Sequence, residues 1–432
     1  MADAPPPDKT GAGKRRGGTS GKVADFRYKR PSQPEKKRRD ARSRDERSGS
    51  ERSGHERSGH ERSGKAPPLP AQMRPSAGPH ARSGGARRQA YAGLDLGTNN
   101  CRLLIARPSG ENFTVIDAFS RVVRLGEGLA ASGRLSDAAM DRALAALHVC
   151  AEKLRRRNVH LARSVATEAC RRAANGERFI ERVREETGIA LDIISAQEEA
   201  RLAVLGCHIL LEDGRDGTRG PAVIFDIGGG STELVLIEPG GPVPRILDWM
   251  SVPWGVVSLT DSVDGPDGTA EGRAARYAAM RSIVDKSFAP FARRIAPYRD
   301  TDEGIRLLGT SGTVTTLASL HLELPQYDRR AVDGLIVPSA SMRDISTRLS
   351  TMSEAERGTL PCIGDDRANL VVAGCAILES ILDIWPARDL AVADRGIREG
   401  ILRSLIAADA EGERSREELQ RTRDVSRPGA SL

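Results

Sequence analysis

From residue 91 onward, short apolar runs alternate with longer amphipathic ones. The short runs are bounded by Gly, Asp and Asn and read as strands: Tyr91–Leu96, Cys101–Ala106, Phe113–Val123, Ser164–Ala166, Leu191–Ile194, Ala222–Asp226, Thr232–Ile237 and Ile305–Leu308. Apolar residues at three- and four-residue spacing predict helices over Asp137–Arg156, Glu177–Glu186, Gln197–Leu211, Arg273–Ile295, Val314–Leu322, Arg367–Leu382 and Ile397–Ala407. Strands followed by long amphipathic helices predict an α/β fold with helices packed on a mixed sheet.

One pattern occurs twice. L-D-L-G-T-N-N-C-R-L-L-I, starting at Leu94, aligns without gaps on F-D-I-G-G-G-S-T-E-L-V-L, starting at Phe225. Asp95 falls on Asp226 and Gly97 on Gly228. In both, an apolar strand ends in a polar turn and resumes in register, as in a β-hairpin. Two copies 131 residues apart predict two similar domains facing each other across a cleft.

The turn chemistry points to anions. Gly97, Gly228, Gly229 and Gly230 leave no Cβ between backbone and ligand. Consecutive N–H groups in such a turn form a concave nest for phosphate oxygens. Thr98, Asn99, Ser231 and Thr232 add side-chain donors, and Asp95 and Asp226 at strand ends can hold a hydrated Mg²⁺ or a water. No GxxxxGK[ST] occurs, which excludes a P-loop, and the turns lead into strands, which disfavours a dinucleotide fold.

Charge separates the chain into two parts. Residues 1–88 hold 23 Lys and Arg against 10 Asp and Glu, so they carry +13 of a chain whose total is +7. This stretch repeats ERSG every five residues from Glu46, a period that matches neither helix nor strand. With no apolar residue in the repeat unit and few around it, the stretch is expected to be disordered and to bind polyanions non-specifically at most. The six cysteines form no CxxC pair and read as reduced core residues of a cytoplasmic protein. No apolar run is long enough for a membrane span.

With these motifs in place, the chain resembles the exopolyphosphatase/guanosine pentaphosphate phosphohydrolase family, within the actin-like, sugar-kinase and chaperone-ATPase superfamily. The resemblance runs from about residue 90 to 408, through DLGTNNCRLL, RVVRLGEGL, VATEACRRAANGERF, IISAQEEARLAVLG, FDIGGGSTELV, WGVVSLT, LLGTSGTVTTLA and ADRGIREGIL. It implies two actin-like, ribonuclease-H-like domains, 89–200 and 201–408, with the last helix packing on the first. Residues 409–432 would form a flexible tail, and the chain would be a short form without the family's C-terminal helical domain.

The resemblance also implies a Mg²⁺-dependent release of terminal orthophosphate from polyphosphate or guanosine pentaphosphate, linked to the stringent response. Glu199 of QEEAR would be the general base, although residue chemistry alone leaves Glu198 as a rival. Arg171 would bind phosphate, together with Asp95, Gly97, Thr98, Asn99, Gly228, Gly229, Ser231, Ser311 and Gly312. Asp226 and Glu233 would hold Mg²⁺. Glu168 stands where the family usually has a small residue, and adds a negative charge near Arg171. Dimers are common among resembling proteins, so a homodimer is a further expectation. Two alternatives share the cleft: a kinase of the same superfamily, and a sensor that binds (p)ppGpp or polyphosphate without turnover.

Overall fold

The computed structural model describes residues 89–110, 112–212, 220–238, 243–265, 268–299 and 305–425. The basic segment 1–88 and residues 426–432 of the expected tail lie outside the described residues.

Two mixed sheets form the framework. The first joins β1 (Tyr91–Leu96), β2 (Asn100–Ser109), β3 (Asn112–Val122), β4 (Leu161–Ala166) and β5 (Leu191–Ile193) in the order β3-β2-β1-β4-β5. The second joins β6 (Ala222–Ile227), β7 (Thr232–Glu238), β8 (Arg245–Val252), β9 (Arg306–Thr310), β10 (Ile336–Pro338) and β11 (Asp389–Ala393) in the order β8-β7-β6-β9-β11-β10. In each sheet an antiparallel meander leads and parallel strands follow: β1 pairs antiparallel with β2 and parallel with β4, as β6 does with β7 and β9. The doubled sequence pattern is therefore a doubled topology, α/β throughout.

Three strands escape the sequence pattern. β8 is an edge strand, half-buried along most of its length, so its sequence lacks clean alternation. β10 has three residues, and β11 is a short buried strand of the parallel half. The predicted helix Arg367–Leu382 is split into a single turn, Asp365–Ala368, and a helix, Val371–Ile384.

The helix Ala196–Cys207 lies between the sheets and positions the site. Ser195 caps its first turn by accepting from the Glu198 N–H. Ala200, Val204 and Cys207, spaced by four and three, pack with Ile224 and Val235 of the second sheet. Leu202 faces the other way and packs with Tyr91, Leu104 and Val165 of the first sheet, alongside Ile401 and Leu402 of the last helix, Ile397–Val425. Burying Leu202 contributes about 1.5–3 kcal/mol relative to exposure. That burial fixes the rotation of the helix, and hence the direction of Glu199 one turn earlier. The last helix reaches the first sheet and continues past residue 408 to Val425. Among the described residues all six cysteines are free, and no helix is long and apolar enough to cross a membrane.

Candidate active site

The two turns close on one cavity of about 130 Å³. Gly97 N–H donates to Asn100 O at 2.9 Å, and Gly228 N–H donates to Ser231 O at 2.9 Å. Each turn is held from behind. Asn99 O accepts from Val123 N and Arg124 N, and Thr98 O from Gly126 N. Gly228 O accepts from Val256 N, and Gly229 O from Val257 N and Ser258 N, at the start of the helix Val256–Ser262. With the carbonyls turned outward, the N–H groups of Thr98, Asn99, Gly229 and Gly230 have no hydrogen-bond partner among the described residues, and all four residues line the cavity. Four N–H groups without a protein partner around one cavity suit an anion.

Five acidic residues line this cavity, Asp95, Glu168, Glu199, Asp226 and Glu233, and four of them carry raised pKa values. Burial raises Asp226 to about 7, helped by Glu199 and opposed by Arg102. Burial likewise raises Glu233 to about 7, helped by Asp226, while the Ser251 and Ser231 hydroxyls pull it down. Asp95 is raised by burial against the pull of Arg102 and Arg398. Glu199 is raised well above the ordinary carboxylate range by burial and by Glu233, with Arg171 opposing. Buried acids raised in this way are chemically suited to a bound cation. Asp95 Oδ1 is buried with no hydrogen-bond partner, which fits a metal ligand. Among the described residues no three acidic, His or Cys groups stand close enough to hold a metal by themselves. The unpartnered Asp95 Oδ1 and the neighbouring buried acids are of the hard-oxygen kind that Mg²⁺ takes, one or two at a time, beside water.

Glu198 and Glu199, adjacent in sequence, part company in space. Glu198 accepts from Arg201 at 2.7 Å and Arg163 at 2.8 Å. Burial works to raise it, but these two arginines outweigh burial and hold it below the ordinary range. Glu199 is 7% exposed, lines the cavity, and meets Arg171 Nη1 at 3.1 Å. Ser311, Gly312 and Thr313 also line the cavity, and the Ser311 hydroxyl accepts from Val314 N as the cap of the helix Gly312–His321. Arg171 is brought beside Glu199 but not onto the cavity wall; Thr167 and Glu168 stand there instead.

Two charged cavity residues were missed from the sequence. Arg102 lies on β2 directly across the hairpin from Asp95, the register position that Glu233 holds opposite Asp226. The gapless alignment of the two stretches already set Arg102 against Glu233, so the signal was present. Arg367 reaches the wall from the single turn Asp365–Ala368, where Nη1 donates to Thr316 Oγ1 at 3.2 Å. Nothing in the local sequence ties that residue to the first domain's turn.

Paired lobes of equivalent strand order, closing glycine-bearing turns on a shared cavity, define an actin-like α/β protein. Solved structures of this class superpose on it: an exopolyphosphatase from Cytophaga hutchinsonii, with TM-score 0.65, 25% identity and coverage of 74% of this chain and 98% of that one, and the Aquifex aeolicus member of the Ppx/GppA family, with TM-score 0.59, 27% identity, 74% and 98%. The sequence pattern of the Ppx/GppA phosphatase family matches residues 104–408, and the chain belongs to that family. It is 31% identical over 329 residues to exopolyphosphatase 2 of Mycobacterium tuberculosis, covering 73% of this chain and 98% of that protein. It is 27% identical over 316 residues to a putative exopolyphosphatase of Haemophilus influenzae, covering 73% and 90%.

Proposed function

We propose that the chain is a Mg²⁺-dependent phosphohydrolase that releases terminal orthophosphate from inorganic polyphosphate and converts guanosine pentaphosphate to tetraphosphate. The relatives named as exopolyphosphatases support the first substrate. The reading carries with it a cytoplasmic setting and, through the nucleotide, a link to the stringent response. One observation bears most of the weight: four unpaired backbone N–H groups and the buried acid Glu199 share one cavity wall.

The chemistry follows from those groups. The terminal phosphoryl group sits between the turns, where the N–H groups of Thr98, Asn99, Gly229 and Gly230 donate to its oxygens. A water attacks the terminal phosphorus, the bond from that phosphorus to the bridging oxygen breaks, and the shortened chain leaves with its charge. Glu199 takes the proton of the attacking water. Its raised affinity for protons suits that task, and the Arg171 guanidinium beside it opposes the rise. Asp226 and Glu233 would hold Mg²⁺, with Asp95 lining the same cavity, and Glu233 accepts from the Ser251 hydroxyl at 2.8 Å. Bound there, the ion supplies positive charge to the phosphoryl oxygens.

Glu199→Gln keeps the shape and removes the base. Phosphate release from polyphosphate should fall about 10²–10⁴-fold while the melting temperature holds. A variant that still turns over at the parent rate would remove Glu199 from the role of base.

A further inference from the structure

Glu168 occupies a place that the hydrolytic mechanism does not use. It opens the short helix Glu168–Arg172, is 8% exposed and lines the cavity wall. Oε2 accepts from Arg171 Nη2 at 2.5 Å. Its methylenes lie against the second turn, so that a Cβ placed on Gly230 would stand 3.0 Å from Glu168 Cγ. Glu168 therefore stands between the cavity and Arg171, the guanidinium that a phosphate would seek.

Arg171 does not need Glu168 to stay where it is. Its Nη1 arm donates to Ile194 O at 2.8 Å and to Glu199 Oε2 at 3.1 Å. Glu168 takes the other arm, Nη2. Burial works against the Arg171 charge, and Glu199 and Glu168 together more than offset it. A second guanidinium waits outside: Arg172 Nε lies 3.8 Å from Glu168 Oε1, is 40% exposed, and has no other ion-pair partner among the described residues. Glu168 thus already stands within ion-pair reach of both guanidinium groups.

We propose that Glu168 is an internal anion covering Arg171, which an incoming phosphoryl group displaces onto Arg172, so that this exchange sets the affinity for the phosphate chain. The inference rests on the phosphohydrolase reading and adds to it a residue that tunes substrate affinity. In the displaced state Arg171 donates its freed Nη2 arm to a phosphoryl oxygen, with the planar fork that suits such oxygens. A carboxylate is thus traded for a phosphate on one guanidinium, and another guanidinium receives the carboxylate.

The test uses the full chain, polyphosphate of one defined length, and four proteins: the parent, Glu168→Ala, Arg172→Ala and the double variant. Glu168→Ala should lower KM about tenfold, the worth of one charge-assisted contact no longer contested, with kcat changed less than about threefold. Arg172→Ala should raise KM about threefold in the parent and leave it unchanged in the Glu168→Ala background, because its effect passes through Glu168. Glu168→Gln, which keeps the side chain's length and loses its charge, should follow Glu168→Ala and covers the case in which the alanine variant folds poorly. If Glu168 is only a strut for Arg171, both Glu168 variants raise KM or lower kcat and Arg172→Ala acts additively; either result overturns the proposal. A parent protein without turnover would instead overturn the phosphohydrolase reading. Calorimetry with tripolyphosphate then reads the exchange alone, expecting tighter binding by Glu168→Ala and counting equal or weaker binding against it.

Discussion

At the foot of β1, Gly97 N–H bonds to Asn100 O; at the foot of β6, Gly228 N–H bonds to Ser231 O at the same 2.9 Å. The backbones repeat, but the side chains do not. The positions after the first glycine are Thr98 and Asn99 in one lobe, and Gly229 and Gly230 in the other. Across the hairpin from the aspartate stands Arg102 in one lobe and Glu233 in the other. The first turn is dressed and carries a cation; the second is bare and carries an acid. The lobes are thus complementary. Thr98 sits over the bare glycines, and a cation from one side meets acids from the other around the same cavity.

The largest effect should come from spoiling that steric fit. A Cβ on Gly229 would stand 2.9 Å from Thr98 Cβ and 3.1 Å from Asn99 N, and the latter is backbone with little room to yield. On Gly97 the nearest atom would be Asn100 O at 3.5 Å, an ordinary contact. Gly229→Ala should therefore hold the turns apart and cost about 100-fold in kcat/KM, the scale of a misplacement near 1 Å. Gly97→Ala should cost about twofold or less, as an unstrained substitution does. Equal losses in the two variants, measured as phosphate release from polyphosphate, would mean that the turns do not interlock.

Next in size is the contrast between Arg102 and Glu233. Arg102→Gln removes a cation from the wall, so KM for the phosphate chain should rise about tenfold. Glu233→Gln removes an acid, so the main change should be in the Mg²⁺ concentration needed for half-maximal rate. Their pH signatures also differ. Asp226 and Glu233 are raised from 3.8 and 4.5 to about 7 by burial. A carboxyl raised in the folded state stabilises the fold fully below about pH 4, and that stability is lost as pH climbs through about 7. Without Mg²⁺ the melting temperature should fall by roughly 3–6 °C from pH 5.5 to 8, and Mg²⁺ should restore more of it at pH 8. Glu233→Gln should flatten this slope. A slope equally steep in Glu233→Gln would show that the acid of the second lobe is not its source.

These residues also show how far the sequence could be read. The hairpins were legible because apolar runs of period two break at glycine, and β1 and the helix Asp137–Arg156 begin and end where the pattern puts them. Glu199 emerged from a resemblance, and the rotation of its helix, set by Leu202 and Ala200, separates it from Glu198. That rotation depends on both sheets at once and leaves no local mark. The same holds for Glu168. Its negative charge near Arg171 was visible in the sequence, but its place between Arg171 and the cavity depends on a five-residue helix too short to show periodicity. Arg367 was hidden more deeply, since a single turn carries it across from the other lobe.

The smallest effect belongs to the rim, where the lobes meet by charge rather than by shape. Arg124 N donates to Asn99 O at 3.1 Å, tying that residue to the first turn. Its guanidinium donates across the cleft to Asp366 at 2.9 Å, beside Arg367. The two side chains are 45% and 70% exposed, so water and salt weaken the pair. An exposed pair of this kind contributes about 0–1 kcal/mol, and Asp366→Asn should change kcat/KM by about threefold or less. What sets it apart from Gly229→Ala is its dependence on salt. The rim effect should be visible at about 50 mM salt and vanish at about 500 mM, where the Debye length shrinks to a few ångströms. The steric effect of Gly229→Ala should be the same at both. A salt-dependent Gly229→Ala, or an Asp366→Asn loss that survives high salt, would mean that closure at the cavity and closure at the rim are not separate contacts.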